Sequence, residues 1–369
     1  MKITRISVYR TDLPLTKPYW LSGGRLRFDE LDSTLFAVEA DDGQTGWGEG
    51  CPWGHTYLPA HGAGIRAAAE LLAPALLGQD PRELDKINRI MDLTLPGHLY
   101  AKAGLDVACW DLFGQSCGLP LAELMGGRES LAGAPIASSI STGAPEEMLA
   151  EIQSYRDRGY FAHSAKVGGD TGLDVARIRH LEAERNPGET IVYDVNRAWS
   201  RQEAVTVMNQ VADLGVTVEQ PCETIDDCAA VSRRTGASIC LDERLETQGD
   251  LTRFIADGIG EVVNIKINRV GGLTKARRLR DLAEAGGLRM LIMESGGSVI
   301  ADTGAAHLAA TVPDHLMIGS WLCHDMLSRD LAPGRGARND AGRMAAPTLP
   351  GLGVAPDLTL IGAPVAVYE

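Results

Sequence analysis

Three acidic residues recur at almost even spacing in the middle of the chain: Asp194, Glu219 and Asp242. Each closes a short apolar run, and the runs read TIVYDVN, VTVEQP and SICLDE. Because a strand with its crossover helix occupies about this length of chain, we expect one carboxylate at the C-terminal end of each successive strand. One such acid alone would be a strand-end capping group, but three in succession can share an ion. Oxygen ligands without histidine or thiolate favour Mg²⁺, with Mn²⁺ as the alternative, over zinc.

Two lysines flank these acids. Lys166 ends the run AHSAK, before the first acid, and Lys266 lies in VVNIKI, after the last. Closing the strands into a barrel would put the two lysines on opposite sides of the metal. A lysine that acts as a base must be neutral, and both burial and a nearby cation lower its pKa. The pattern therefore predicts that one lysine removes the α-proton of a bound carboxylate substrate, while the ion stabilises the resulting enediolate.

The elements that would position these groups begin after the Gly126-Gly127 break. Eight strand-like runs alternate there with helical segments, and the runs span residues 134–140, 162–167, 190–195, 216–220, 238–243, 262–267, 289–295 and 316–321. Eight such units favour a closed parallel (β/α)8-type barrel, which is an α/β fold, over an open doubly wound sheet. In barrels of this type the chemistry lies at the C-terminal ends of the strands, where the acids and lysines fall.

Before this break the sequence has a different rhythm. Residues 2–9 are typical of a strand, and LFAVEA and TGWGEG on either side of an Asp-Gly turn predict a hairpin. Helical patterns follow over residues 61–78, 81–95 and 101–118. Pro81 suits a first helical position. We therefore predict three parts, namely an α+β capping domain over 1–127, a barrel domain over 128–333, and a Gly- and Pro-rich tail over 334–369 that returns to the cap.

The composition bounds the partners and the compartment. A net charge of −14 argues against nucleic acid or an anionic membrane surface as a partner. The seven cysteines are odd in number and include no zinc-type C-x-x-C pair, so we expect reduced thiols in a cytoplasmic protein. MKITRISVYR lacks the apolar core of a signal peptide, and no apolar stretch approaches the roughly 18 residues of a transmembrane helix. We also expect a homo-oligomer that acts on a small molecule.

At these residues the chain resembles the enolase superfamily, in the muconate lactonizing enzyme-like branch of the mandelate racemase group. The resemblance covers nearly the whole chain, from cap through barrel to returning tail. It implies that Asp194 in Asp-Val-Asn, Glu219 in Glu-Gln-Pro and Asp242 in Asp-Glu are the metal ligands. It also implies that Lys166 matches the second lysine of the family's strand-two Lys-x-Lys motif. Lys266, in Lys-Ile-Asn-Arg-Val-Gly-Gly-Leu, then matches the family's strand-six lysine.

One position departs from the family pattern. Ser164 replaces the first lysine of Lys-x-Lys, which in the family helps to lower the pKa of the second. We therefore expect the pKa of Lys166 to be tuned by the metal or by burial. The histidine–aspartate dyad of the mandelate racemases themselves is absent from the sequence, because Lys266 occupies strand six.

The family's cap contributes two specificity loops, which correspond to residues 17–28 and 51–61. The side chains there that could line a site are Tyr19, Trp20, Trp53, His55 and Tyr57. Such a set forms either a small core under the cap or a cage around a cationic ligand. After strands seven and eight, Glu294 or Asp325 could pair with an ammonium, and Trp321 could lie against a ring. The substrate-binding candidates that we select are Trp20, Tyr57, Glu294 and Trp321.

The loop sequence Pro-Trp-Gly-His-Thr-Tyr, with Ser-x-Lys at strand two, looks like the hydroxyproline group of this branch. That group contains cis-3-hydroxy-L-proline dehydratases and also 2-epimerases of proline betaine and 4-hydroxyproline betaine. We favour the dehydratase, which forms Δ1-pyrroline-2-carboxylate, because Glu294 suits a free secondary ammonium, whereas a fully methylated nitrogen donates no hydrogen bond. The racemase or 2-epimerase is the alternative. A metal-stabilised barrel that binds a ligand without turnover is the hypothesis from another class.

Overall fold

A computed structural model describes residues 1–129 and 132–369. It contains an antiparallel sheet covered by three helices, followed by an eight-stranded parallel barrel. The N-terminal elements are β1 (Ile3–Leu21), β2 (Leu26–Ala40), β3 (Thr45–Gly50), α1 (Gly62–Leu76), α2 (Leu84–Thr94) and α3 (Leu99–Cys117). The expected α/β class, with a barrel and an N-terminal α+β cap, is confirmed. The domain boundary at residue 127 stays a prediction.

Strands β1 and β2 form a hairpin that the sequence pattern did not indicate, and both are longer than the predicted runs 2–9 and 35–40. The segment 17–28, expected as a loop, forms its far end, where Tyr19 lies opposite Phe28. Pro14 and Pro18 make this part of β1 atypical of a strand in sequence, because proline cannot donate a hydrogen bond within a sheet. The structure accommodates them at an irregularity in the pairing between Pro14 and Tyr19. The hairpin of β2 and β3 around the Asp-Gly turn is present as predicted.

One helix start was predicted wrongly. Pro81 does not open α2, which begins at Leu84. The residues before it form a turn instead, in which the backbone N–H of Arg82 donates to the Asp80 carboxylate at 2.9 Å. This local bond competes with the helix at its N-terminal end.

The barrel supplies the frame on which the acids and lysines sit. After the short strand β4 (Ala134–Pro135), its strands are β5 (Ala137–Ile140), β6 (Ala162–Lys166), β7 (Thr190–Asp194), β8 (Thr217–Glu219), β9 (Ser238–Leu241), β10 (Val262–Lys266), β11 (Arg289–Met293) and β12 (Met317–Gly319). All eight lie within the predicted runs, and neighbours in sequence are parallel neighbours in the sheet. A parallel bridge between Ile136 and Ser320 joins the first strand to the last.

Helices surround the barrel and connect its strands. They are α4 (Leu121–Leu124), α5 (Pro145–Arg156), α6 (Thr171–Ala183), α7 (Arg201–Gln210), α8 (Ile225–Thr235), α9 (Gln248–Ala256), α10 (Ile267–Val270), α11 (Leu273–Ala285) and α12 (Val299–Ala309). Short 3₁₀ turns occupy Ser22–Gly24, Ala212–Leu214 and Cys323–Met326. In the parts of the chain that the structure covers, no helix combines the length and the apolar character that crossing a bilayer requires.

The tail runs back from the barrel to the cap. Its elements are β13 (Asn339–Asp340), β14 (Arg343–Met344), α13 (Leu358–Ile361) and β15 (Ala366–Tyr368). β14 pairs with β4 at the barrel, whereas β15 adds to the edge of the first sheet, with Ser7 opposite Val367. The tail therefore ends in a strand of the cap sheet.

Strand β3 lies against α3 because every second residue on its helix side is glycine. A Cβ atom at Gly48 would overlap the carbonyl oxygen of Gly104, and one at Gly46 would overlap that of Ala108. Glu49 follows Gly48, and its buried side chain reaches the barrel. There its carboxylate accepts hydrogen bonds from the backbone N–H of Ser298 at 2.9 Å and from its hydroxyl at 2.6 Å, at the N-terminus of α12. A cap carboxylate thus satisfies the free amides and the dipole of a barrel helix.

We expect Glu49→Gln to lower the free energy of unfolding by about 2 kcal/mol. The amide keeps the volume, but it turns a donor towards the backbone and hydroxyl donors of Ser298, so that hydrogen bonds are lost. Urea unfolding followed by circular dichroism measures the change, with the exposed Glu70→Gln as the matched control. An unfolding midpoint equal to that of the wild type would show that this contact between cap and barrel contributes nothing.

Candidate active site

The three acidic side chains come together at one end of the barrel. Asp194 and Glu219 are the last residues of β7 and β8 and lie in register with each other, and Asp242 follows the end of β9. All three are almost fully buried. Burial raises the pKa of Glu219 well above its ordinary value, and the charges of Asp194 and Asp242 raise it further. Carboxylates at neighbouring strand ends repel one another in this way.

Amide and guanidinium groups hold the oxygens of these acids. The Asn196 side chain donates to Asp194 Oδ2 at 3.0 Å, and Asn264 donates to Glu219 Oε1 at 2.7 Å. The buried Arg269 donates to Asp242 Oδ1 at 2.6 Å. Burial favours the neutral Asp242, but Arg269 and Lys266 outweigh it and hold the pKa of this carboxyl at about 2.

Sequence analysis did not single out these three partners as functional. Each stands inside a motif that carries a ligand or a lysine, namely Asp-Val-Asn, Val-Asn-Ile-Lys and Lys-Ile-Asn-Arg. Their short spacing from the acids and lysines was the available signal.

The two lysines lie on opposite sides of the barrel. Lys166 ends β6 and Lys266 ends β10, four strands apart in a ring of eight. The Lys166 ammonium pairs with Asp194, and Lys266 Nζ donates to Asp242 Oδ2 at 2.8 Å. Burial favours a neutral Lys166, but the paired Asp194 carboxylate outweighs burial and raises its pKa above the ordinary value. This shift is opposite to the one that a base needs, so burial alone does not tune Lys166.

The donor set fits a hard divalent cation. All three candidate ligands are carboxylates, and Glu219 has no ion-pair partner of its own in the described ranges. Asp194 and Asp242 each have one carboxylate oxygen paired with a lysine. Residues 1–129 and 132–369 contain no group of three acidic, histidine or cysteine side chains already arranged to hold a metal ion. Ion binding would therefore require these oxygens to turn from the lysines.

A cleft lies between the acids and the cap, and its volume is about 540 Å³ when the space open to solvent is included. Both lysines line it, and so does Ser164, at the position where the family motif has a lysine. Four aromatic side chains form its wall: Tyr19, Trp53, Tyr57 and Trp321. The ring of Trp53 lies 5.4 Å from that of Tyr19 and 5.7 Å from that of Trp321, measured between centroids.

Two of the four selected substrate-binding candidates, Tyr57 and Trp321, line this cleft, and the other two do not. Trp20 is 40% exposed, and the Arg27 guanidinium lies over its ring at 5.5 Å. Glu294 is buried, and its Oε2 accepts from the backbone and side-chain nitrogens of Asn268 at 2.9 and 2.8 Å. Burial raises the pKa of Glu294 to about 8.

The remaining polar candidates also point elsewhere. Asp325 Oδ2 lies 3.6 Å from Arg158 Nη2, and neither residue is part of the cleft wall. The neighbouring His324 bonds through Nδ1 to the buried Asp302 at 2.7 Å. His55 is exposed. None of these residues meets the acids or lysines.

Glu243 is a buried acid that was not among the site residues predicted from the sequence. Its Oε1 accepts from the Tyr57 hydroxyl at 2.8 Å and from the Asn196 side chain at 3.3 Å. Burial, together with the charge of Asp242, raises the pKa of Glu243 to about 7. This carboxyl ties the cap segment 51–61 to the end of the barrel, and so it holds one aromatic wall of the cleft in place.

Comparison with protein families gives two matches that together cover most of the chain. Residues 6–126 match the mandelate racemase / muconate lactonizing enzyme N-terminal domain, and residues 147–360 match the enolase C-terminal domain-like family.

Two relatives and one solved structure are similar to this chain over most of its length. The cis-3-hydroxy-L-proline dehydratase of Roseibium aggregatum is 40% identical and covers 100% of both chains. The N-succinyl-L-Arg/Lys racemase of Bacillus cereus is 31% identical over 84% of each chain. A crystal structure of an enolase superfamily member from Roseovarius nubinhibens ISM, complexed with magnesium, is 52% identical, covers 100% of this chain and 99% of the other, and superimposes with a TM-score of 0.96.

Proposed function

The chain belongs to the mandelate racemase / muconate lactonizing enzyme family of the enolase superfamily, and on that premise we propose that it dehydrates cis-3-hydroxy-L-proline to Δ1-pyrroline-2-carboxylate. The observation that carries the proposal is the pair of lysines on opposite sides of a small, aromatic-walled cleft beside three buried acids. The full-length likeness to a dehydratase of this substrate supports the choice of ligand.

Asp194, Glu219 and Asp242 would hold Mg²⁺, which when bound attracts the substrate carboxylate and increases the acidity of its α-carbon. One lysine takes the α-proton. The electron pair of that C–H bond is first delocalised into the substrate carboxylate, in a step that can reverse, and then forms the C2=C3 double bond as the C3–O bond breaks. The departing oxygen takes a proton from the other lysine and leaves as water. The product enamine then tautomerises to the cyclic imine.

The stereochemistry of this substrate suits the two lysines. In the cis isomer the carboxylate and the hydroxyl share one face of the ring, so the α-proton lies on the other face. An elimination of this geometry needs a base on one side and an acid on the opposite side. Lys166 and Lys266, four strands apart in the barrel, supply that arrangement.

The cleft wall accounts for the rest of the molecule. Tyr57 and Trp321 line the cleft, where they would contact a small ring that carries an ammonium. Tyr19 and Trp53 complete this wall, and we assign them to the binding site in place of Trp20 and Glu294. With Glu294 directed to Asn268, the preference for a free over a methylated ammonium no longer rests on that carboxylate.

The second candidate is 2-epimerisation of a proline betaine. The same lysine pair and aromatic wall favour it, because a substrate without a leaving group at C3 would be reprotonated from the far face. A racemase among the relatives shows that the family includes such chemistry. A barrel that binds without turnover is less well supported, because binding alone does not require two opposed lysines.

Proton NMR in D₂O with Mg²⁺ separates these functions. We expect the protein to convert cis-3-hydroxy-L-proline into a keto-acid-type product and to leave proline betaine unchanged. The double variant Lys166→Ala/Lys266→Ala is the control for uncatalysed change. Racemisation of the betaine with the hydroxyproline untouched would establish the epimerase. Absence of both products and of any α-deuterium in either compound would leave the binding protein.

A further inference from the structure

The indole N–H of Trp53 is a buried donor without an acceptor. The side chain is 3% exposed, and its Nε1 has no hydrogen-bond partner among residues 1–129 and 132–369. Two other buried tryptophans are paired. Trp110 donates to Thr274 and Trp199 donates to Asp174, each at 2.9 Å. Folded proteins leave few buried donors unpaired, so a donor of this kind requires an explanation.

The packing around this ring keeps it in one orientation. Phe28 and Tyr19 pack edge-on against it, at interplanar angles of 69° and 77°. Gly296 lies against the edge of the ring across from the N–H, where an added Cβ would come within 3.0 Å of Cε3. The ring is therefore held on several sides. The side chain also lines the active-site cleft.

The proposed substrate has three polar groups, and the site distinguishes among them. The carboxylate belongs with the cation at Asp194, Glu219 and Asp242. The secondary ammonium has donors but no lone pair, so it cannot accept a bond from an N–H. The C3 hydroxyl oxygen is the remaining acceptor.

We propose that the Trp53 indole N–H donates a hydrogen bond to the C3 hydroxyl oxygen of the bound substrate and makes Trp53 the residue that selects a 3-hydroxylated ring. The inference rests on the proposed function. The bond strengthens as the C3–O bond breaks, because the oxygen gains negative charge before it takes its proton from a lysine. A ligand without this hydroxyl leaves the donor unpaired, and such a loss discriminates strongly between substrates.

The substitution Trp53→Phe tests this role, because it removes the N–H and keeps an aromatic ring. In D₂O, proton NMR reports product formation and deuterium uptake into unreacted cis-3-hydroxy-L-proline in the same sample. We expect product formation to fall at least about tenfold while α-deuteration persists, so the ratio of exchange to elimination rises by a similar factor. A merely structural role would lower both rates together and leave their ratio unchanged.

The control is Trp47→Phe, the same substitution in the cap at a residue outside the cleft, which should change neither rate. If Trp53→Phe does not fold, benzothienylalanine at position 53 replaces the N–H by sulfur with little change of shape and gives the same comparison. Equal product formation by variant and wild type would overturn the proposal. A wild type that forms no product at all would instead overturn the proposed function, and the role of Trp53 with it.

Discussion

Replacing either Lys166 or Lys266 by alanine is expected to lower the rate of dehydration by roughly 10²–10⁴-fold. Each lysine ends its own barrel strand, and the two strands lie on opposite sides of the cleft. Elimination needs both a base for the α-proton and an acid for the departing oxygen. Neither alanine variant retains both, and water in this small cleft is a poor substitute for a positioned amine.

The two variants should differ in a second measurement. The variant that keeps the base can still exchange the α-proton of the bound substrate with D₂O, whereas the variant that has lost it cannot. Deuterium uptake measured by NMR therefore assigns the base, which the geometry does not distinguish from the acid. Lys86→Ala, at an exposed ion pair with Glu83, is the matched control. Turnover at the wild-type rate in both active-site variants would refute the assignment.

The positions of the acids and lysines could be predicted from the sequence because strand ends are local features. Each charged residue closes an apolar run, and parallel strands bring their C-terminal ends to one edge. The structure confirms this placement, with Lys166, Asp194 and Glu219 ending successive strands in register. Their roles as base, acid and metal ligands stay predictions.

The aromatic and acidic candidates were harder to choose, and strand alternation explains why. Tyr19 and Leu21 line the cleft, so Trp20 between them faces outward. The segment was expected as a loop, to which this rule does not apply. The same alternation places Met293 and Ser295 at the cleft and turns Glu294 away from it. There the rule was applicable from sequence alone.

Contacts between distant parts of the chain could not be predicted in this way. The bond from Tyr57 to Glu243 joins the cap to the barrel, and the Glu49 carboxylate joins β3 to the start of α12. No local pattern specifies such partners, because they depend on how the cap docks on the barrel. They nevertheless hold the cleft wall in place and orient the cap relative to the strand ends.

Among substitutions of the three acids, Glu219→Gln is expected to have the largest effect, because it should lower activity at least about a hundredfold and yet stabilise the protein in EDTA. Glu219 is buried beside Asp194 and Asp242, and among the residues that the structure covers its carboxylate is bonded by Asn264 alone. Its raised pKa means that the ionised form opposes folding at neutral pH, above the pKa of an unfolded glutamate. Glutamine removes this repulsion and keeps the volume.

Thermal unfolding with and without Mg²⁺ tests both parts. A ligand that binds only the folded state raises the unfolding temperature, so the wild type should be stabilised as Mg²⁺ increases. The Glu219→Gln variant should start from a higher temperature in EDTA, show little further shift with Mg²⁺, and lose at least about a hundredfold in activity. The exposed Glu70→Gln should behave like the wild type. An unchanged Mg²⁺ shift in the Glu219 variant would remove this residue from the metal site, because a carboxylate that does not bind the ion cannot weaken its binding when neutralised.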